Sequence, residues 1–246
     1  MTKITWQLSF FVALFVSAFC AFADDSLKFP LKERPKQDIL RDIGSKGEQV
    51  IQLAKIQPGM QVLDLLGGGG YYSELLNNQV GKTGKVYLHN NQAYVGFVNK
   101  QLKARLAKKR LNNVVDHRAE LDNLNLAPNS LDAVFFILGY HDMYHQADGW
   151  KIDKDKLLKQ ITTVLKKGGK FIVVDHSAED GTGIEHAQHL HRIDKDYVSK
   201  EVMSLGFSLL IDSPLLTNNQ DDRHQTPFIP NLRRKTDRFV LVFSKN

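Results

Sequence analysis

The sequence predicts an α/β fold in which a mainly parallel, seven-stranded sheet carries helices on both faces. Short apolar stretches alternate with segments of helical periodicity from residue 61 to residue 205, as they do in strands joined by crossover helices. A glycine-rich turn follows the first of these strands. The last two strand-like stretches have no helix between them, so we expect them to form an antiparallel pair at the end of the sheet.

The individual elements follow from the same patterns. Strands are predicted over 61–66, 85–89, 114–117, 131–138, 170–175, 207–211 and 238–243. Two short helices are predicted within 38–56, and further helices from residue 72 to 78 and over 98–110, 154–165 and 195–205. The Lys-Lys-Gly-Gly sequence at 166–169 is predicted to end the helix before it.

The N-terminal residues are typical of a secretory signal peptide. Lys3 precedes an apolar stretch from Leu8 to Phe19, and Ala21 and Ala23 provide a small-residue cleavage site. We therefore predict a signal peptide over residues 1–23 and one domain over residues 24–246. The expected location is the periplasm or the medium, with no stable membrane anchor after cleavage. The only cysteine is Cys20, so the mature protein would have no thiol chemistry.

The charge balance is mildly basic, with a formal net charge of +6 for the whole chain. The clusters 108–110 and 233–235 contain Lys and Arg without interleaved aromatic residues. Solvated surface explains them as well as phosphate binding does, so we expect no nucleic-acid partner. The sequence leaves the oligomeric state open.

The glycine-rich turn is the first candidate binding site. It comprises Gly67, Gly68, Gly69 and Gly70, after an apolar strand that contains Asp64. Glycine permits a positive φ and close approach of a ligand to the backbone, and the helix that follows offers free N–H groups. A dinucleotide site is disfavoured, because no complete G-x-G-x-x-G is present.

Several motifs together resemble the class I S-adenosylmethionine-dependent methyltransferases, which have a Rossmann-like fold. They are the glycine turn, Gln57–Met60, Asn129–Asp132, Leu165–Gly169 and the terminal antiparallel pair. Within that superfamily the chain is most similar to a group of exported predicted methyltransferases, in Gly67–Ser73, Asp175–His176, His191–Asp194 and Lys235–Phe239. The resemblance covers nearly all of residues 24–246, so this segment is predicted to be one methyltransferase-like domain. It leaves the methyl acceptor, a small molecule or a protein, open.

The resemblance implies S-adenosylmethionine as cofactor and assigns residues to it. Asp64 would orient water or the methionine amino group, and Gly67 to Gly70 would form the close-approach turn. Asn90 stands where an acid usually holds the ribose, and Glu120 is near the position of the acid beside the adenine. Leu66 replaces a glycine that is usual in the superfamily.

A second candidate site follows the fourth and fifth strands. His141 comes after the fourth strand with Tyr140 and Asp142 beside it, and His176 ends the fifth. Ligands of open parallel sheets bind at the carboxyl ends of the strands, so these side chains should line the acceptor side of the cleft. His141 or His176 is the predicted general base, with Tyr140 and Asp142 positioning it.

Two alternatives to catalysis by this base remain open. In the first alternative, the protein binds a ligand without catalysis. It is suggested by the predicted export, which would separate the protein from the cytoplasmic cofactor supply. Alternatively, the histidines would hold a metal, with His141 and His145 four residues apart and further imidazoles at His176, His186, His189 and His191. No complete metal-ligand motif is present, so we expect no metal.

Overall fold

A computed structural model describes residues 34–107 and 110–246. The predicted signal peptide and two lysines of the basic cluster, Lys108 and Lys109, lie outside the described residues. Within the described part of the chain, no helix is both long enough and apolar enough to cross a membrane.

The described residues form the predicted alternation of strands and helices. The strands are β1 Gln61–Leu65, β2 Lys85–Asn90, β3 Val114–Arg118, β4 Leu131–Ile137, β5 Leu165–His176, β6 Phe207–Ser213 and β7 Arg238–Lys245. The helices are α1 Lys36–Ser45, α2 Gly47–Leu53, α3 Tyr71–Val80, α4 Gln92–Leu106, α5 Lys154–Val164, α6 Ala187–Leu190 and α7 Lys195–Ser204. Two 3₁₀ turns lie at His141–Met143 and Pro214–Leu216.

The seven strands make one sheet in the order β3-β2-β1-β4-β5-β7-β6. β1 to β5 are parallel, and β7 is antiparallel to both β5 and β6. The predicted mainly parallel sheet with a terminal antiparallel pair is therefore confirmed. The strand order reverses between β1 and β4, and ligands of open α/β sheets bind at the carboxyl ends of the strands at such a point.

Helices cover both faces of the sheet, as predicted. On β4, Val134 and Phe136 join a core with α5 and α7, while Ala133 and Phe135 face a core with α2 and α3. This division follows from the two-residue period of a strand. Burying each such large apolar side chain contributes about 1.5–3 kcal/mol, so the two cores fix the strand ends that carry the site.

Two of the departures from the predicted element boundaries have a clear physical cause. Helix α4 begins at Gln92 rather than residue 98, because the Asn91 side chain caps it by accepting a hydrogen bond from the Tyr94 N–H at 3.0 Å. Residues 166–169 were predicted to end the helix α5, but in the structure they belong to β5, which begins at Leu165. The β4–β5 register shifts there, so these residues form an irregularity inside a continuous strand.

Candidate active site

The glycine turn lies at the carboxyl end of β1, in the centre of the sheet. Leu66 and Gly68 have φ values of 51° and 58°, and Gly70 has a φ of 79° and caps α3. The Gly67 N–H donates a hydrogen bond to the His89 carbonyl at 2.9 Å, which ties the turn to β2. Leu66, in the position usually held by glycine, therefore adopts the left-handed conformation that glycine would supply.

Asn90 holds the glycine turn through both atoms of its amide. Its Oδ1 accepts a hydrogen bond from the Gly68 N–H, and its Nδ2 donates to the Gly68 carbonyl, each at 3.0 Å. The side chain is fully buried at the end of β2. Asn90 thus lies where the resemblance places the ribose-binding residue, and in this conformation its polar atoms support the turn.

The His89 side chain also supports the turn, a role that the sequence analysis did not identify. Its Nδ1 accepts a hydrogen bond from the Leu66 N–H at 3.3 Å, and its Nε2 lies 3.0 Å from the Ala119 carbonyl. Burial, with a smaller contribution from His117, lowers the pKa of His89 to about 4. A neutral imidazole with its proton on Nε2 satisfies both contacts.

Asp64 lies directly beneath the turn. It is 1% exposed, and its Oδ2 accepts a hydrogen bond from the Ser73 hydroxyl at 2.6 Å. Burial raises its pKa to about 6, an effect that the bonds from Ser73 offset only in part. The site therefore contains a buried carboxylate that a ligand ammonium group would stabilise in its charged form.

We expect Asp64→Asn to stabilise the protein at neutral pH. Because the pKa is raised from 3.8 to about 6 on folding, the stability that protonated Asp64 contributes is fully present below pH 3.8 and is lost as the pH rises through 6. The neutral amide avoids that loss, which is about 2–3 kcal/mol for a shift of this size. Urea unfolding at pH 4 and pH 7.5 measures it. Exposed Asp148→Asn is the control, and a gain for Asp64→Asn that is equal at both pH values would contradict the assignment.

Glu120 lies at the N-terminus of α4, on the same edge of the sheet as Asn90. Its Oε1 accepts a hydrogen bond from the Gln92 N–H at 3.1 Å, and the residue is exposed. The structure thus places both residues of the proposed adenosine side at the ends of neighbouring strands, β2 and β3, beside the start of α4.

Helix α4 packs across the glycine turn. A Cβ added to Gly69 would lie 2.6 Å from Gln101 Oε1, and one added to Gly70 would lie 2.8 Å from Arg105 Cδ. A Cβ on Gly68 would meet only Val98 Cγ1, at an ordinary 3.8 Å. Packed side chains thus enclose Gly70, a Cβ on Gly69 would require the exposed Gln101 side chain to move, and Gly68 leaves room for a ligand.

Arg105 connects α4 to the turn and to a buried ionic network. Its guanidinium donates to the Gly69 carbonyl and pairs with Glu74 of α3 and Asp38 of α1. Glu74 also pairs with Arg110. Buried charges are tolerated when they are paired and hydrogen-bonded, and here they fix α4 over the turn.

The histidines after β4 and β5 lie together, as predicted. The ring centroids of His141 and His176 are 6.0 Å apart. The fully buried Asp175 binds His141 twice, accepting from its backbone N–H at 2.9 Å and lying 2.7 Å from its Nδ1. His176 Nδ1 lies 2.7 Å from the Thr236 hydroxyl.

The two imidazoles have opposite electrostatic environments. Burial lowers the pKa of His141, but the charge of Asp175 and the hydrogen bonds to Asp142 and Asp175 outweigh it and raise the pKa to about 10. Burial and the neighbouring cations, His141 first among them, hold the pKa of His176 well below its ordinary value. His176 is therefore the neutral imidazole of the pair.

Of the two residues predicted to position the base, Asp142 contacts the histidines and Tyr140 does not. Asp142 Oδ1 lies 3.1 Å from His141 Nε2, and its Oδ2 accepts from the Tyr94 hydroxyl at 3.5 Å. Tyr140 is fully buried, and its hydroxyl donates to Glu201 of α7 at 2.5 Å. Tyr94, at the start of α4, was not identified from the sequence, because only the fold brings it to the histidines.

His191 also joins this group, from a loop far along the chain. Its ring centroid lies 5.3 Å from that of His141 and 4.6 Å from that of His145. One ring nitrogen of His141, one ring nitrogen of His191 and one carboxylate oxygen of Asp142 all lie within 4.8 Å of one another. The sequence analysis named His191 only as one of several further imidazoles and as part of the His191–Asp194 motif.

The fold and the glycine turn are typical of class I cofactor-dependent transferases, and the family match supplies the class. A methyltransferase domain family matches residues 56–213, more than half of the chain. The chain therefore belongs to the S-adenosylmethionine-dependent methyltransferases. Its residues fit that cofactor, because Gly68 leaves room at the turn and Asp64 is a buried acid beneath it.

Curated relatives match over part of their length. The ubiquinone/menaquinone biosynthesis C-methyltransferase UbiE of Shewanella frigidimarina is 31% identical over 149 residues, which are 58% of this chain and 55% of the relative. The UbiE protein of Hydrogenovibrio crunogenus is 32% identical over 57% of this chain and 54% of its own. The chain thus spans about half the length of the curated relatives it matches.

Solved structures share the fold at low sequence identity. An S-adenosylmethionine-dependent methyltransferase from Aquifex aeolicus aligns with a TM-score of 0.61 and 19% identity, over 88% of this chain and 98% of that one. One from Mesorhizobium loti aligns with a TM-score of 0.54 and 15% identity, over 80% and 96%. The [4+2]-cyclase SpnF also aligns, with a TM-score of 0.55 and 15% identity over 85% of this chain and 81% of its own, so likeness of fold alone does not specify the reaction.

Proposed function

We propose that this methyltransferase is exported and transfers a methyl group from S-adenosylmethionine to an acceptor outside the cytoplasm. The observation that carries the assignment of the site is the meeting of His141, Asp175 and His176 at the ends of β4 and β5, beside the glycine turn of β1. Export is supported by the leader-like residues 1–23.

S-adenosylmethionine supplies a methyl group on a sulfonium, which an acceptor nucleophile displaces to leave S-adenosylhomocysteine. The protein's task is then to align the acceptor and, where it carries a proton, to remove it. His176 is placed for proton removal, with its Nδ1 held by Thr236. Asp64, Asn90, Glu120 and the turn are assigned to the cofactor side.

Calorimetry of the mature protein with S-adenosylmethionine and with S-adenosylhomocysteine tests cofactor binding directly. We expect one site per chain for each compound. Binding without any methyl transfer to a periplasmic extract would favour the ligand-binding alternative. Absence of binding by a folded protein would contradict the proposal.

The location is tested separately. We expect the native protein in the periplasmic or extracellular fraction, with Asp24 as its first residue, because Ala21 and Ala23 form the small-residue site before it. Fractionation followed by N-terminal sequencing measures this, and an Ala23→Leu variant should accumulate uncleaved. Native protein found in the cytoplasm with Met1 intact would refute export.

A further inference from the structure

Three potential metal ligands converge at the carboxyl ends of β4 and β5. His141 Nε2 lies 3.1 Å from Asp142 Oδ1, and His191 Nδ1 lies 3.7 Å from the same oxygen. The first contact is a hydrogen bond in the metal-free protein, and a bound ion would displace its proton. Zn²⁺ binds N and O atoms at about 2.0–2.2 Å, so ligand atoms at tetrahedral positions are about 3.3–3.6 Å apart. These two separations lie close to that range, and the ligand nitrogens of the two histidines lie within 4.8 Å of each other. Side-chain adjustment would bring all three atoms to tetrahedral spacing.

An unsatisfied nitrogen within this group is the second observation. Among the described residues, none forms a hydrogen bond with the buried His191 Nδ1, for which the Asp142 carboxylate at 3.7 Å is too distant. His191 also has a φ of 52°, and Phe228 packs on its ring with centroids 4.8 Å apart. A buried polar atom without a partner is costly, and here it faces a carboxylate and another imidazole.

The neighbouring groups hold the ligands as they do in known metal sites. Asp175 lies 2.7 Å from His141 Nδ1, the ring nitrogen opposite the one that faces Asp142. Such a carboxylate fixes the orientation and tautomer of a metal-binding imidazole. The Tyr94 hydroxyl contacts the second oxygen of Asp142, at 3.5 Å.

We propose that His141, Asp142 and His191 bind one divalent transition-metal ion, for which Zn²⁺ is the test ion. Two imidazole nitrogens and one carboxylate oxygen suit a first-row transition metal better than Mg²⁺ or Ca²⁺, which prefer oxygen ligands. This site uses His191 in place of His145, whose Nδ1 lies 3.1 Å from the Gln188 carbonyl. It departs from the sequence expectation of no metal.

The site has a consequence for the reaction, and this part rests on the proposed function. Three protein ligands leave at least one coordination position for water or for an oxygen or thiolate of the acceptor. His141 would then be a ligand and His176 the base. The expected acceptor class is a hydroxyl or thiol compound that coordinates the ion.

The test is zinc binding by the mature protein after removal of metal with a chelator. We expect one Zn²⁺ per chain by calorimetry and elemental analysis, not displaced by excess Mg²⁺. His191→Ala should weaken the affinity about a hundredfold or more, because it removes one of three ligands. His189→Ala is the matched control: this exposed histidine lies two residues away and outside the group, and its variant should bind zinc as the wild type does.

Asp142→Asn provides a second, nearly isosteric variant if His191→Ala does not fold, and it should also lose affinity. Circular dichroism establishes folding. Substoichiometric zinc, or equal affinity in wild type and a folded ligand variant, would overturn the site. S-adenosylmethionine affinity measured on the same metal-free samples separates the two proposals. Cofactor binding without zinc binding would contradict the metal site and leave the proposed methyltransferase function standing.

Discussion

Gly68→Val is expected to weaken S-adenosylmethionine binding at least about a hundredfold while the protein stays folded. Gly68 has a φ of 58°, and a Cβ there would meet only Val98 Cγ1, at 3.8 Å. The cost to the fold is therefore mainly backbone strain of about 1–3 kcal/mol. A branched side chain would nevertheless occupy the space in which a ligand approaches the turn.

Two further glycine variants separate strain from ligand contact. Gly168→Val carries a similar strain, at a φ of 74° with nothing within 4 Å, but lies at the opposite end of β5 from His176, so binding should be unchanged. From the sequence alone, Gly70→Val would be expected to act as Gly68→Val does, because both glycines lie in the predicted close-approach turn. The structure instead predicts misfolding, because the Cβ would lie 2.8 Å from both Arg105 and Leu88. Calorimetry and thermal melting measure these outcomes, and unchanged cofactor affinity in folded Gly68→Val would show that the turn is structural only.

The topology was predictable because it depends on patterns that are local in the sequence. Apolar stretches of strand length alternate with amphipathic segments, and the right-handed crossover and the terminal pair leave few arrangements of the sheet. The same reasoning places the ends of β1, β4 and β5 side by side. It therefore predicted correctly that His141 and His176 lie close together.

The contacts within the site were not predictable, because they depend on packing between distant segments. Nothing local indicates that Asn90 bonds to Gly68, or that Arg105 reaches over the turn to Glu74. Tyr140 is the reverse case, a residue for which the sequence predicted a role in the site that the structure does not support. Its position next to His141 in the sequence suggests that it lines the cleft. In the structure the Tyr140 side chain points away from the histidines, and its hydroxyl donates a hydrogen bond to Glu201 of α7.

His191 illustrates how irregular backbone hides a site. It follows the short helix α6 and adopts a left-handed conformation that sequence periodicity does not reveal. The signal that was available is the His191–Asp194 motif. In the structure Asp194 accepts hydrogen bonds from the Gly181 and Gly183 N–H groups, which shapes the loop that presents His191.

His176→Asn is expected to lower the rate of methyl transfer about a hundredfold or more with little change in S-adenosylmethionine affinity. A general base contributes about 10²–10⁴ to the rate, and the imidazole is assigned to the acceptor side, away from the glycine turn. Asparagine retains an amide near the position of Nδ1, where Thr236 lies 2.7 Å away, so the buried hydrogen bond and the fold should persist. The amide cannot accept the proton.

Transfer of tritium from methyl-labelled S-adenosylmethionine to a periplasmic extract of a strain lacking the protein measures the rate, and calorimetry measures cofactor affinity. His186→Asn, a half-buried histidine outside the group, is the control and should leave both unchanged. If His176 only shapes the acceptor pocket, the rate at saturating extract should recover while the concentration needed for half-maximal rate rises. A normal rate at all extract concentrations would remove His176 from the mechanism, because a base that is needed for transfer cannot be replaced by a group that does not titrate.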